Sequence, residues 1–112
     1  EDRHDVADSV ALGRAYRCRA NAAQSIGAVR DACCDLGFTM DLLREATRRG
    51  CVDLDAEILE ASVTRAYALL DSERYEEALR DFTAAVSLGA DAKDLRPAIE
   101  LCRMDQEGAR AC

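Results

Sequence analysis

In the segment RYEEALRDFTAAVSLGAD, residues 74 to 91, the positions Tyr75, Ala78, Phe82 and Ala85 fall at gaps of three, four and three. That spacing puts them on one face of an α-helix and departs from the two-residue alternation of a strand. The rest of the chain favours the same state. It has one Pro, six Gly, no Trp, two Phe and three Tyr, so both hairpin turns and bulky core residues are scarce. Alanine, leucine, arginine and glutamate dominate, and these are good helix formers. The composition predicts an all-α fold whose small residues let helices approach closely.

At 112 residues the chain reads as a single helical domain over 1–112. A first helix runs from Asp5 to about Ala20, with Val6, Val10 and Leu12 among alanines. Ala22, Ile26, Val29, Cys33 and Leu36 then form one helical stripe, with Gly37 as its stop. Thr39 reads as the N-cap of the next helix, which buries Met40, Leu43 and Ala46 and closes on Arg48, Arg49 and Gly50. A fourth helix starts at Asp53 or Asp55 and buries Ile58 or Leu59, Val63, Ala66, Tyr67 and Leu70. The 74–91 segment follows and stops at Gly89. The last helix starts near Asp94, with Pro97 in its first turn and Leu95, Ala98, Ile99 and Cys102 inward. The expectation is about six short antiparallel helices, as stacked hairpins or a small bundle. They divide into N-terminal helices over 5–36, a hairpin pair over 39–89 and a C-terminal helix over 94–105.

The formal charge is -7, unevenly spread. Residues 14 to 50 carry seven arginines against four acids, and residues 51 to 81 carry nine acids against three arginines. An acidic surface disfavours nucleic acid as a partner. The Arg44, Arg48, Arg49 cluster reads either as a site for an acidic peptide or as a solvated helix end whose cations offset the C-terminal dipole. No apolar run approaches the roughly 20 residues that span a bilayer, so no membrane partner is expected. The sequence opens at Glu1 and not at methionine, which reads as a processed or partial chain, so the lack of a leader decides nothing.

Six cysteines stand at 18, 33, 34, 51, 102 and 112. An even count in a short chain is compatible with three disulfides, and so with a secreted or lumenal protein. If a hairpin turns near QSIGA, Cys18 comes level with Cys33 or Cys34, and Cys102 could reach Cys112. Irregular spacing is equally compatible with reduced thiols packed as small apolar residues, and so with the cytoplasm. No metal site is expected: C-x-x-C is missing, and His4, the sole histidine, lies near the start of the chain.

Slid against itself, the chain matches best near 36 residues, where LLREAT at 42 to 47 lies over ALRDFT at 78 to 83. A period of that size suggests stacked helical hairpins. The stretch AYALLDSERYEEALRDFTAAVSLGA, 66 to 90, resembles the tetratricopeptide repeat (TPR), and the likeness extends over about 56–90. The resemblance implies that Ala66 packs on the following helix, Tyr75 opens that helix, Ala78 and Ala85 sit at the crossing, and Phe82 fills the gap. It also implies a groove for a peptide or helix of a partner protein, faced by Glu57, Glu60, Thr64 and Arg65. Gly89-Ala90 replaces the family's closing proline, and the preceding pair of helices lacks the tyrosine and aromatic. A weaker resemblance, carried by LLDSERYEEAL and LRPAIELC, is to plant invertase and pectin-methylesterase inhibitors. It implies a secreted, disulfide-bonded bundle acting as an inhibitor or effector, although Ser72 stands where that family has a cysteine.

An active site is not expected. With one histidine near the chain start, Ser-His and Cys-His arrangements are nearly excluded. Glu73, Glu76 and Glu77 read as a solvated helix face, and no glycine-rich phosphate loop or cofactor motif occurs. The expected function is a non-catalytic interaction module for another protein or peptide. Its candidate contact residues are Glu57, Glu60, Thr64, Arg65, Arg44 and Arg48.

Overall fold

The computed structural model describes residues 6–51 and 53–111, with side chains described from Ala7 as far as Met104. Five helices account for most of them: α1 (Val6–Ser25), α2 (Val29–Arg48), α3 (Asp55–Asp71), α4 (Tyr75–Ser87) and α5 (Ala92–Ala111). No strand occurs among the described residues. Each helix packs chiefly on its neighbours in the chain: α1 on α2, α2 on α3, α3 on α4, α4 on α5. The result is an elongated body of 54 × 30 × 23 Å.

Four connections use one device. The residue two places after α1 and after α2, Gly27 and Gly50, has φ of 82° and 102°. Glu73 and Gly89 occupy the same place after α3 and α4, at 62° and 113°. The next amide reaches back five residues each time: Ala28 to Ala23 O, Cys51 to Ala46 O, Arg74 to Leu69 O and Ala90 to Ala85 O. This is the Schellman closure, which satisfies carbonyls that a helix end would leave unpaired. Glycine takes the left-handed conformation without a Cβ clash; Glu73 does so at a cost.

The core follows the helical stripes. Ala32, Leu36, Met40, Leu43 and Ala46 of α2 are buried with Val10, Ala20, Leu54, Ile58 and Ala61. A second cluster joins Ala66, Leu69, Ala78, Phe82 and Ala85 of α3 and α4 to Leu95, Ala98 and Cys102 of α5. Phe82 is its largest fully buried side chain and meets Tyr67 edge-on, centroids 5.0 Å apart. Such burial stabilises by roughly 2–3 kcal/mol.

Five helices replace the expected six because residues 36 to 39 do not break α2. Gly37 is helical, and its missing Cβ makes room for another helix: a Cβ there would stand 3.0 Å from Arg65 Nη1. Thr39 is fully buried in mid-helix and is no cap. Its hydroxyl is shared between Asp35 O and Gly13 O, each 3.0 Å away, the second bond tying α2 to α1. The true boundary is the turn at 26–28, so Ala22 and Ile26 do not share a helix face with Cys33 and Leu36; both are exposed. The last helix also starts earlier than expected, at Ala92, which puts Pro97 beyond its first turn on the exposed side.

The two hairpins, α1–α2 and α3–α4, correspond at an offset of 46 residues. Ala20 and Ala66 are fully buried at equivalent positions, as are Ala32 and Ala78, and Leu36 and Phe82. The turn residues Gly27 and Glu73 share positive φ and the same flanking bonds. The expected register near 36 laid the end of α2 over the start of α4; the geometry lays start over start.

Candidate functional site

Each hairpin is held by an arginine of its first helix and an aspartate 16 residues on, in its second. Arg19 donates Nε and Nη2 to Asp35, both at 2.8 Å, and Arg65 does the same to Asp81 at 2.6 and 2.8 Å. The forked geometry suits a carboxylate, so each pair fixes the angle between two helices. Both aspartates are buried, and no buried side-chain nitrogen or oxygen among the described residues lacks a partner. The hydrogen bonds from Arg19 hold the Asp35 carboxyl below the ordinary carboxylate range. The bonds that Arg65 donates to Asp81 raise the Arg65 guanidinium. The pairs differ in cover: the Arg65 side chain is 28% exposed and that of Arg19 is 68% exposed.

That difference marks two clefts. The inner one, about 250 Å³, lies between the hairpins, with Arg30, Cys33 and Cys34 of α2 on one side and Arg65, Arg74, Glu77, Arg80 and Asp81 on the other. The outer one, about 640 Å³, lies on the opposite side of the first hairpin and includes Arg19, Ile26, Asp31, Cys34, Asp35 and Phe38. They are the same feature met twice. Moved back 46 positions, Arg65, Leu69, Arg74, Glu77, Arg80 and Asp81 become Arg19, Ala23, Ala28, Asp31, Cys34 and Asp35, and all six line the outer cleft. The inner cleft is roofed by α2; the outer one is bordered by Phe38, 51% exposed, and Ile26, 82% exposed. Phe38 rests on Tyr16, ring centroids 5.1 Å apart, and Arg19 lies over the Tyr16 ring at 5.3 Å.

The six residues expected to meet a partner fall in three places. Glu57 accepts two bonds from Arg14, at 2.8 and 2.7 Å, and Glu60 pairs with Arg17, so both stitch α3 to α1. The Arg14 contact holds the Glu57 carboxyl below its usual range. Thr64 turns its hydroxyl back to Glu60 O at 2.8 Å. Arg65 points between its helices to Asp81. Arg44 and Arg48 border a separate depression of about 540 Å³ with Ile58, Ala84 and Leu88, and Arg48 pairs with Glu45. No single surface gathers all six.

Tyr16, Ile26 and Phe38 were not expected at a surface. The chain has only five Phe and Tyr in all, so an aromatic directly after a helical glycine was the available signal. Of the cysteines, 18 and 34 are exposed, 51 is half-buried, 33 and 102 are buried, and no disulfide joins any two of these five. The expected level placement of Cys18 with Cys33 or Cys34 produces no bond. Cys112 and His4 lie outside the described residues. Burial raises the Cys33 thiol, against the pull of Arg74 and Arg65. Among the described residues no group of three His, Cys, Asp or Glu could hold a metal ion, and no helix is long and apolar enough to cross a membrane. Glu76 pairs with Arg80, and Glu77 with Arg74.

Compared with known proteins, the chain matches no family model, no curated protein and no solved structure.

Proposed function

We propose that this chain is a non-catalytic protein-interaction module that binds a helix or peptide of a partner protein. The observation that carries the reading is the outer cleft: exposed Phe38 and Ile26 beside the doubly bonded Arg19–Asp35 pair, whose aspartate is buried. Clustered apolar side chains on a surface favour a macromolecular contact, and a fixed frame lowers the ordering cost of making one. The acidic net charge of -7 favours protein over nucleic acid. The tetratricopeptide-like reading of residues 56–90 belongs to the same proposal. Its support is the full burial of Ala66, Ala78, Phe82 and Ala85 where α3 crosses α4.

Selection of the chain against a displayed library of helical and extended peptides tests this. Enrichment of a related set of peptides binding at about 1–100 µM is the expected result. A library that yields no saturable binder overturns the reading.

A further inference from the structure

The second hairpin shows what the first one lacks. In α3, Ile58, Ala61 and Ser62 are buried at 3%, 0% and 0%, on the side turned to α2. Ser62 donates to Met40 Sδ at 3.0 Å, and Ala84 of α4 shares a depression with Arg44 and Thr47 of α2. Ser72, in the turn, lines another with residues 27 to 31. The equivalents 46 positions earlier carry apolar groups as large or larger, exposed at all but Tyr16, which is half-buried. Ile58 becomes Leu12, 49% exposed; Ser62 becomes Tyr16; Ser72 becomes Ile26, 82% exposed; and Ala84 becomes Phe38, 51% exposed. A stacking face covered at Ile58 and Ser62 in one hairpin is apolar and largely exposed in the other.

We infer that the face formed by Leu12, Tyr16, Ile26 and Phe38 receives an amphipathic α-helix from a partner protein, laid on α1 as α2 lies on α3. This deepens the proposed function and rests on it. The occupant's chemistry follows from the covered face. The inner cleft sets Arg30 of α2 beside Glu77. Glu77 corresponds to Asp31, which lines the outer cleft and makes no ion pair among the described residues. Glu77 has Arg74 as a bonded partner; the equivalent of Arg74 is Ala28, and Arg19, which acts on Asp31 through charge, gives its two bonds to Asp35. The incoming helix therefore carries an arginine or lysine within its first turn, followed by a stripe of small and medium apolar residues, as α2 does.

A synthetic peptide of residues 28–49 is the probe, titrated into the full chain by calorimetry. One-to-one binding is expected, weakened at least 10-fold by Phe38→Asp or Ile26→Asp in the chain and unchanged by Met104→Asp on α5. Changing Arg30→Glu in the peptide alone should weaken binding, and pairing it with Asp31→Arg in the chain should restore it. Both variant sites are exposed, and circular dichroism confirms that the variants keep their helix content. No binding up to about 1 mM overturns the inference. So does binding indifferent to Phe38→Asp, which would mean exchange with the chain's own α2. A dimer of the chain alone that Phe38→Asp dissolves also overturns it, giving the face to a second copy. If the displayed library yields binders insensitive to Phe38→Asp, this inference fails while the proposed function stands; if it yields none, both fail.

Discussion

The guanidinium of Arg65 crosses α2 over Gly37 so closely that a Cβ at residue 37 would stand 3.0 Å from Nη1. The two residues lie on different hairpins, so this contact belongs to the seam between them. Its tightness is set by Asp81, whose two bonds leave Arg65 little freedom to yield.

Gly37→Ala therefore has a sign that depends on Arg65. In an open helix interior the change gains about 1 kcal/mol. Here it should lower stability by roughly 1 kcal/mol, because a guanidinium held by two bonds must give by a few tenths of an ångström. In an Arg65→Ala background the same change should stabilise by about 1 kcal/mol. Urea unfolding of the four proteins measures this cycle. The same sign in both backgrounds would sever the link between the two residues.

Acid should loosen the fold through Asp35 and Glu57. Both carboxyls titrate below their ordinary range because arginines bond the charged form. Their contribution is present above the unfolded values, about pH 4, and is lost as pH falls through the lower folded values. Thermal melts should be steady from neutral pH to about 5 and decline below about 4. Asp35→Asn should flatten that decline, and an unchanged acid limb would remove Asp35 from the account.

Alkylation without reductant, followed by peptide mapping, should sort the thiols by exposure. Cys18 and Cys34 should label first, Cys51 more slowly, and Cys33 and Cys102 only as fast as the chain opens. Cys33 has a second reason for resistance, since burial keeps its thiol protonated. Prompt labelling of Cys102 would contradict the packing of α5 on α4. Resistance of Cys18 would point to a bonded or covered thiol.

The four helix closures predict opposite results at two equivalent turns. Glu73 sits at φ 62°, a conformation costing about 1–2 kcal/mol outside glycine. Glu73→Gly should gain on the order of 0.5 kcal/mol after the extra chain entropy of glycine is subtracted. Gly27→Ala, at φ 82°, should lose about 1 kcal/mol. Thermal denaturation of both variants decides, and a loss at Glu73 would show that its side chain matters more than its backbone.

The helical class and the buried faces of α4 and α5 were legible in the sequence, but on α3 only Ile58 and Ala66 are buried as expected, while Tyr67, placed inward, is 42% exposed. Ala78, Phe82 and Ala85 are buried as their spacing required, and Gly50 and Gly89 stand just past helix ends. Gly37 and Thr39 were misread because each has a local meaning and a tertiary one. Glycine stops a helix or admits a neighbour, and threonine caps one or bonds across a crossing. Arg65 and Gly13, which decide between these meanings, are distant in sequence. The repeat at 46 residues escaped a search for matching letters because its equivalent positions differ in size. Leu36 answers Phe82, and Tyr16 answers Ser62; geometry is conserved between the hairpins where identity is not. The outer face was hidden for the same reason, since exposure of Phe38 depends on what does not pack against it.

The neighbour-on-neighbour packing of these helices also fixes an order of events during synthesis. Arg19 can close on Asp35 once α2 has left the ribosome, before α3 has followed it out. The side of α2 that α3 will cover, with Met40 at its centre, is then bare only while the chain from Arg49 to Asp71 follows it out. At 5–20 residues per second that interval is roughly 1 to 5 seconds. The groove at Gly37 stays open until Arg65 arrives to fill it, so the nascent first hairpin carries its sticky seam for a time set by translation speed.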